Sequence, residues 1–232
     1  MANVVKKAVF NLMDKAFTER GYVLAIRAWK PGSMYEIDLH LPATDMSKWK
    51  TIPRIKCKVD DFDYRDYTPA LWDVEKRTCT VFIETGHSGR GSSWAKNLRV
   101  GDTIGYASAH AAQLPGESGP IACFGDGSSL GHFLALKQLT DGEEHPMRVT
   151  LSLSEQYQLP ENLLLKNPEF KFIMLPKTNS LEHLSEMAAH EEISVNNSVY
   201  VAGHIPMVTS LRKTLKKNPY LNARIFAHGF WS

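Results

Sequence analysis

The amino-acid sequence predicts a two-part fold, an antiparallel β-barrel followed by an α/β domain with a mostly parallel sheet. Residues 21–111 contain short strand-like segments at close spacing, which is typical of a small antiparallel barrel. From Pro120 onwards, strand-like segments alternate with helical ones, which indicates βα units around a parallel sheet. The segment between them, residues 111–120, is rich in glycine and proline. We therefore expect the two domains at residues 1–113 and 118–232.

The strands of the first part show the alternation of apolar and polar residues that half-buried strands have. Residues 21–32 and 33–43 predict two paired strands around the turn at Pro31 and Gly32. The other strands of this part are expected at residues 52–62, 76–86 and 99–110. The residues at 1–17 have the apolar spacing of an amphipathic helix and no convincing cleavage site of a signal peptide.

In the second part of the chain, the spacing of apolar residues alternates between that of strands and that of helices. It opens with a short apolar strand at residues 120–126 and a helix that begins at Leu130 and ends near Asp141 and Gly142. Further strands are expected at residues 147–154, 171–177, 198–204 and 223–230, with helices at 180–192 and 207–218.

The composition excludes several classes of protein. The 232 residues are 43% hydrophobic and 22% charged, and the formal net charge is +2. Such a balance gives no strong positive field for nucleic acid. No apolar run approaches the roughly 18 residues of a membrane-spanning helix. The three cysteines are odd in number and widely separated, so neither a disulfide framework nor a metal site is indicated, and a reducing cytoplasm is the simplest location.

A glycine-rich turn follows the first strand of the second part. Gly125, Asp126, Gly127 and Ser128 lie where the carboxyl end of a parallel strand would bind a ligand. Glycines there let the backbone approach a phosphate, and the next helix offers free N–H groups. Leu130 stands where a dinucleotide fingerprint would have its third glycine, so a plain strand-to-helix turn explains this segment equally well.

A second strand end carries Gly203 and His204. A glycine at this place can make room for a nicotinamide or a ribose, and His204 could line that space. Taken alone, a glycine at the entry of a helix is the commoner explanation, and a single histidine is more often structural than catalytic.

Three residues of the barrel suit an aromatic cofactor that carries phosphate. Arg65 can hold a pyrophosphate through paired hydrogen bonds. Tyr67 offers a flat ring and a hydroxyl group, and Thr68 can hydrogen-bond the edge of an aromatic ring system. Without further information, a barrel turn with a salt bridge is the simpler interpretation.

A glycine-serine turn lies among cations further along the barrel. Gly91, Ser92 and Ser93 precede the helix-like residues 94–98. The turn is either a surface loop or a cradle for phosphate, and in isolation the two interpretations are about equally good.

Taken in order, these segments resemble the siderophore-interacting proteins, a family of ferredoxin-reductase-like flavoproteins. The family pattern is Arg-x-Tyr-Thr, a Gly/Ser turn before Trp-Ala, then Gly-Asp, a Gly-Asp strand end, a Val-Ala-Gly strand end and a terminal aromatic pair. The matching segments are RDYT at residues 65–68, GSSWA at 91–95, GD at 101–102, FGDGSSL at 124–130, YVAGH at 200–204 and HGFW at 228–231.

The resemblance implies a flavin-binding barrel and an NAD(P)H-binding α/β domain. It implies FAD, with Arg65, Tyr67 and Thr68 at the flavin and the turn of residues 91–93 at the pyrophosphate. It also implies NAD(P)H-dependent reduction of a ferric siderophore with release of Fe(II), and no catalytic side chain, because the flavin would perform the chemistry. Phe230 and Trp231 would shield the flavin, although core packing is the usual role of such residues.

The sequence departs from the family at several positions. Pro69, Ala70 and Leu71 follow the Tyr-Thr pair, where family members often have a second arginine. His204 stands where glutamate is frequent, and Ser232 follows Trp231 where relatives often continue with arginine.

These departures leave alternatives open. One is an FAD-binding redox partner or sensor without reductase turnover of its own, and another is a general reductase of flavin or ferric chelates. The electron donor is also open. Lys177 favours NADPH through its 2′-phosphate, Glu155 would suit the unphosphorylated ribose of NADH, and reduced ferredoxin is a further candidate.

Overall fold

The computed structural model describes residues 19–61, 63–108, 111–140, 142–175, 177–189 and 195–231. Within residues 177–180 it describes only the backbone. The amphipathic helix predicted for residues 1–17 lies outside these ranges.

The first half forms one antiparallel sheet of seven strands, in the order β4-β3-β7-β1-β2-β6-β5. Strands β4 and β5 are its two edges, yet only Thr68 and Pro69 separate them along the chain. The sheet therefore curls until its edges meet at this dipeptide, which confirms the predicted barrel in an open form. The strands are β1 (Glu19–Trp29), β2 (Met34–His40), β3 (Ile55–Asp60), β4 (Asp63–Tyr67), β5 (Ala70–Asp73), β6 (Thr78–Glu84) and β7 (Thr103–Ser108).

The predicted hairpin around Pro31 and Gly32 is confirmed, since β1 pairs with β2 up to Trp29 and Met34. One helix interrupts the barrel, α1 (Arg90–Asn97). It begins before Trp94, so the prediction of its start was wrong and the Gly/Ser turn forms its first turn. The start was predicted too late because Gly91 has a low helix propensity, and the residues before Trp94 were therefore not assigned to the helix.

The second half is an all-parallel sheet of five strands in the order β10-β9-β8-β11-β12. This confirms the predicted βα units. Among the described residues, none of the helices has the length and apolar character needed to cross a lipid bilayer. The elements are β8 (Ile121–Asp126), α2 (Leu130–Leu139), β9 (Met147–Leu153), α3 (Glu161–Lys166), β10 (Phe170–Met174), α4 (Lys177–Ala189), β11 (Ser198–His204), α5 (Ile205–Lys217) and β12 (Arg224–Trp231).

The order of the parallel strands reverses between β8 and β11. The chain moves outward from β8 through β9 to β10 and then returns to β11 on the other side of β8. Ligands of open α/β sheets bind at such a switch point, outside the carboxyl ends of the strands. Helices α4 and α5 cover one face of the sheet, where Leu184, Leu211 and Leu215 are buried.

Helix α2 covers the other face and joins the two halves. Its residues Phe133 and Leu134 belong to one apolar cluster with Met34, Ala70 and Phe82 of the barrel. The helix contacts both β5 and β6. The open side of the barrel is therefore closed by a helix of the α/β half, and the two halves share a core.

Next to the predicted domain boundary, the chain stops pairing with the barrel half and begins to hydrogen-bond with the parallel sheet. Ala112 still pairs with Ile52 of the barrel half, whereas the carbonyl of Gln113 accepts a hydrogen bond from Tyr200 in the parallel sheet.

Candidate functional site

A cleft of about 540 Å³ lies between the two halves, beside the dipeptide where the barrel edges meet. Strand β4, the first turn of α1 and the end of β6 form its barrel side, and the end of β12 forms its other side. The cleft brings together eight of the predicted site residues, which are Arg65, Tyr67, Thr68, Gly91, Ser92, Ser128, Phe230 and Trp231.

Tyr67 is the last residue of β4, and its ring and hydroxyl group face the cleft. Its ring stacks on Trp94 of α1, with ring centroids 5.5 Å apart and an interplanar angle of 17°. Its Oη is buried and has no hydrogen-bond partner among the described residues. Burial raises the pKa of Tyr67 above its ordinary value, so the phenol remains a neutral donor.

Arg65 lies on the rim of the cleft. Its Nη1 donates a hydrogen bond of 2.7 Å to the carbonyl of Tyr64 and lies 3.4 Å from Asp63. These contacts hold the stem of the side chain along β4 while 46% of it stays exposed. A guanidinium fixed in this way can bind an anion at the cleft mouth.

The first turn of α1 packs against β4 through Gly91. A Cβ at this position would lie 2.9 Å from Tyr67 Oη and 3.3 Å from Arg65 Cγ, so only glycine allows this approach. The next residue, Ser92, is 4% exposed, and its Oγ has no partner among the described residues. Gly89 caps the helix without a side-chain hydrogen bond, so the N–H groups of the first turn are left for a ligand.

Ser93, the third predicted residue of this turn, points elsewhere. It lines a neighbouring cleft between α1 and the barrel, together with Asp60, Trp94 and Thr103. Arg90, the first residue of α1, forms ion pairs with Asp60 at 2.7 Å and with Asp63 at 2.8 Å.

The second glycine-rich turn is closed by its own side chains. Asp126 accepts hydrogen bonds from the N–H and Oγ of Ser128 at 3.0 and 2.5 Å. Its other oxygen accepts the N–H of His204 at 2.8 Å. The carboxylate thus ties the end of β8 to the end of β11 at the switch point. Burial raises the pKa of Asp126, and these hydrogen bonds oppose that rise.

The glycines of this region pack closely against other atoms of the protein and do not border the cleft. A Cβ on Gly125 would lie 2.6 Å from the carbonyl oxygen of Ala202, and one on Gly127 would lie 2.9 Å from Met34 Cε. Gly203 has a φ of +128°, and a Cβ there would meet the Asp126 carboxylate at 2.5 Å. Neither these glycines nor Asp126 and His204 are among the residues that line the cleft.

Trp231 fills the space in front of the switch point. Its Nε1 donates a hydrogen bond of 3.1 Å to Ser128 Oγ. The indole stacks against His87 of the barrel half at 5.0 Å and against His204 at 4.2 Å between ring centroids. Phe230 lies beside it, with the Cζ of Arg54 5.1 Å from its ring centroid.

Lys177 is the first residue of α4, and its side chain lies outside the described part of the chain. Strand β10 ends at Met174, so the prediction that it extends to Lys177 was wrong. The predicted contact of Lys177 with a 2′-phosphate stays a prediction.

The cleft residues that the sequence reasoning missed or gave little weight include Arg54, Lys56, Glu84 and His87. Glu84 ends β6 and accepts a hydrogen bond of 2.7 Å from Ser154 of the other half. Arg54 and Lys56 alternate along β3 with the buried Ile55 and Cys57. The alternation of basic and buried residues was the available signal for this pair.

The fold agrees with that of several solved structures, although no protein-family model and no curated protein matches the sequence. A siderophore-interacting protein from Acinetobacter baumannii is similar with a TM-score of 0.72 and 16% identity, over 92% of this chain and 89% of that one. One from Aeromonas hydrophila gives 0.70 and 13%, over 91% and 90%. The ferredoxin reductase of a carbazole 1,9a-dioxygenase, in its FAD apo form, gives 0.69 and 17%, over 92% and 67%. The chain therefore has the ferredoxin-reductase-like fold of these proteins.

Proposed function

We propose that this protein is a flavin-dependent oxidoreductase that uses NAD(P)H to reduce a ferric siderophore and release Fe(II). The supporting observation is the cleft, where the Arg65–Tyr67–Thr68 segment meets the first turn of α1 and the aromatic end of β12. Residues 1–113 would bind the flavin, and residues 118–232 would bind the nicotinamide nucleotide.

The residues of the cleft suit FAD in their chemistry. Tyr67 Oη and Ser92 Oγ are buried hydroxyl groups without partners among the described residues, and such groups need a hydrogen-bonding ligand. The N–H groups of α1 and the guanidinium of Arg65 favour a pyrophosphate. Thr68 and the rings of Tyr67 and Phe230 suit the edge and faces of a planar ring system. Ser93 would then belong to the cleft next to it, which suits the adenosine end of the same cofactor.

The flavin, when bound, would accept a hydride from NAD(P)H and pass single electrons to ferric iron, so one nicotinamide reduces two ferric ions. The chain itself would orient the rings and exclude water. Gly203, His204 and the turn of residues 125–128 lie at the switch point, where the nicotinamide nucleotide would bind. Lys177 would meet the 2′-phosphate of NADPH.

The charge of the cleft supports an anionic ferric chelate as the substrate. Arg54, Lys56 and Arg65 line it together with Asp66 and Glu84, which leaves an excess of one positive charge, and Lys56 pairs with Asp66 at 2.6 Å. The names of two similar structures refer to siderophores. We place the protein in the cytoplasm, where NADPH or reduced ferredoxin supplies electrons.

A second candidate is an FAD-binding redox partner or sensor without its own turnover. The position of Trp231 favours it, because the indole already lies against His204 in front of the switch point. A nicotinamide must displace this ring before it can reach the flavin. If the ring stays in place, the protein binds FAD and NAD(P)H does not reduce it rapidly.

An absorption spectrum after reconstitution tests the proposal. The protein is incubated with FAD or FMN, freed of unbound flavin, and mixed anaerobically with NADPH or NADH in a stopped-flow instrument. We expect retained FAD, bleaching of the flavin band by NADPH, and Fe(II) on addition of a ferric siderophore, detected with a ferrous chelator. Absence of bound flavin would contradict the whole proposal. Bound FAD without rapid bleaching would select the redox partner.

Two comparisons sharpen this experiment. Arg65→Ala should weaken FAD retention roughly tenfold or more, whereas Arg20→Ala, on the exposed side of β1, should leave it unchanged. A panel of ferric siderophores against ferric citrate separates a siderophore reductase from a general ferric-chelate reductase. Equal rates with all chelates would favour the general enzyme.

A further inference from the structure

A cluster of nitrogen-bearing side chains lies behind Phe230, at the junction of the two halves. His132 comes from α2, His228 from β12, and Arg54 from the residue before β3. The rings of His132 and His228 have centroids 5.1 Å apart, and His132 lies 5.6 Å from Phe230. Arg54 packs over the Phe230 ring at 5.1 Å.

Four buried nitrogen atoms of this cluster have no hydrogen-bond partner among the described residues. His132 is 0% exposed, and neither of its ring nitrogens has a hydrogen-bond partner among the described residues. The same holds for Nε2 of His228 and Nη2 of Arg54, which are also buried. Asp66 is the acidic group that acts on Arg54, and Lys56 pairs with it at 2.6 Å.

Buried donors without acceptors are costly, so a group that accepts from several of them is favoured. Burial lowers the pKa of both histidines, so each ring is neutral near pH 7 and offers one N–H group. Arg54 stays cationic. The cluster therefore combines several donors with one positive charge that is only partly balanced.

The positive charge of Arg54 decides which kind of ligand the cluster can hold. A metal cation is disfavoured beside the guanidinium, and the described residues contain no group of three His, Cys, Asp or Glu that could hold one. A water molecule would accept hydrogen bonds but would leave the charge of Arg54 in place. An acceptor with one negative charge satisfies the donors and also balances the positive charge of the Arg54 guanidinium.

We propose that Arg54, His132 and His228 form a buried site for a small monovalent anion, such as a halide, nitrate or acetate. His132 and His228 do not line the cleft, whereas Arg54 and Phe230 do. The anion thus lies behind the wall of the cleft, and the proposal does not depend on the proposed redox function.

Bromide serves as the probe, because its anomalous scattering distinguishes it from water. Crystals of the full chain soaked in sodium bromide should show an anomalous peak within hydrogen-bond distance of Arg54, His132 and His228. A peak of water density without anomalous signal at this position would overturn the proposal.

A measurement in solution gives an independent test. Thermal unfolding is followed while bromide replaces sulfate at constant ionic strength. We expect a saturable bromide-specific stabilisation in the wild type and its loss, or a fall in affinity of roughly tenfold or more, in Arg54→Leu and His132→Phe. His183→Phe, on the exposed side of α4, is the matched control and should respond like the wild type. If His132→Phe does not fold, Arg54→Leu decides, and an unchanged bromide response in that variant contradicts the site.

Discussion

Two Gly/Ser turns lie at the start of helices in the described part of the chain, one within the first turn of α1 and one just before α2, and only the first leaves a buried serine hydroxyl unpaired beside the cleft. At the start of α1, Ser92 Oγ is buried without a partner among the described residues, and the helix cap makes no side-chain hydrogen bond. Before α2, the hydroxyls of Ser128 and Ser129 both donate to Asp126. The two similar sequences therefore differ in what they leave unpaired, because Asp126 accepts from both serine hydroxyls of one turn and no described residue pairs with Ser92 Oγ of the other.

The largest effect is expected for Gly203→Ala, which should disrupt the second turn. A methyl group there would meet the Asp126 carboxylate at 2.5 Å, and the φ of +128° is unfavourable for alanine. We expect a loss of about 3 kcal/mol in the free energy of unfolding, measured by urea denaturation. Gly142→Ala, which would contact nothing within 4 Å, is the control and should change little.

Asp126→Ala should cost about 2 kcal/mol of unfolding free energy, because it leaves the N–H groups of Ser128 and His204 without an acceptor. Asp45 accepts from the N–H and Oγ of Ser47 in the same way at the surface. Asp45→Ala should therefore cost clearly less than Asp126→Ala. Equal losses in the two variants would show that the buried carboxylate does not hold the strand ends together.

Gly91→Ala tests the open turn. The added methyl group would crowd Tyr67 Oη at 2.9 Å and should weaken FAD binding roughly tenfold, or about 1.4 kcal/mol. Gly105→Ala, whose Cβ would lie 3.9 Å from Lys58 Cβ and away from the cleft, should bind FAD like the wild type. A fluorescence titration with FAD measures both, and equal dissociation constants would remove the first turn of α1 from the flavin site.

The smallest effect concerns pH and His132, on the helix that follows the closed turn. Burial lowers the pKa of His132 well below its ordinary value, so in acid the unfolded chain takes up a proton before the folded one does. The stability that His132 contributes is complete above pH 7 and is lost as the pH falls through about 6.5. Between pH 7.5 and 6.0 we expect a loss of about 0.8 kcal/mol from this residue.

Urea denaturation in sulfate at a series of pH values measures this loss. The slope of the unfolding free energy against pH should be smaller in His132→Phe than in the wild type and should be unchanged in His183→Phe. A slope that is the same in His132→Phe and the wild type would show that the pKa of His132 does not differ between the folded and unfolded chains.

Much of the fold was predictable because its elements have strong periodicity. The strands of the parallel sheet are rich in apolar residues and alternate with helical segments, and β1 and β2 flank a Pro-Gly turn. Strand β4 was missed because its sequence, DYRDY, is polar on both faces, as an edge strand beside a cleft permits. Strand β5 has only four residues, and Leu71 within it has a φ of +52°. Helix α3 has only six residues, too few to show a helical period.

The cleft was predictable only in part, because its residues come together through the curl of the barrel and the docking of β12. The Arg65–Tyr67–Thr68 segment and the turn at residues 91–92 carry local patterns that sequence reasoning can find. Arg54, His132 and His228 are separate residues with no motif between them. Their proximity depends on the packing of three elements that are distant along the chain.

The closure of the barrel by α2 limits how the protein can move. Met34, Ala70 and Phe82 of the barrel share an apolar core with Phe133 and Leu134 of α2. A rigid-body hinge between the halves would expose this core to water, and interfaces of this kind resist domain motion. Access to the cleft therefore depends on side chains at its mouth, above all on rotation of the Trp231 indole out of its stack with His87 and His204.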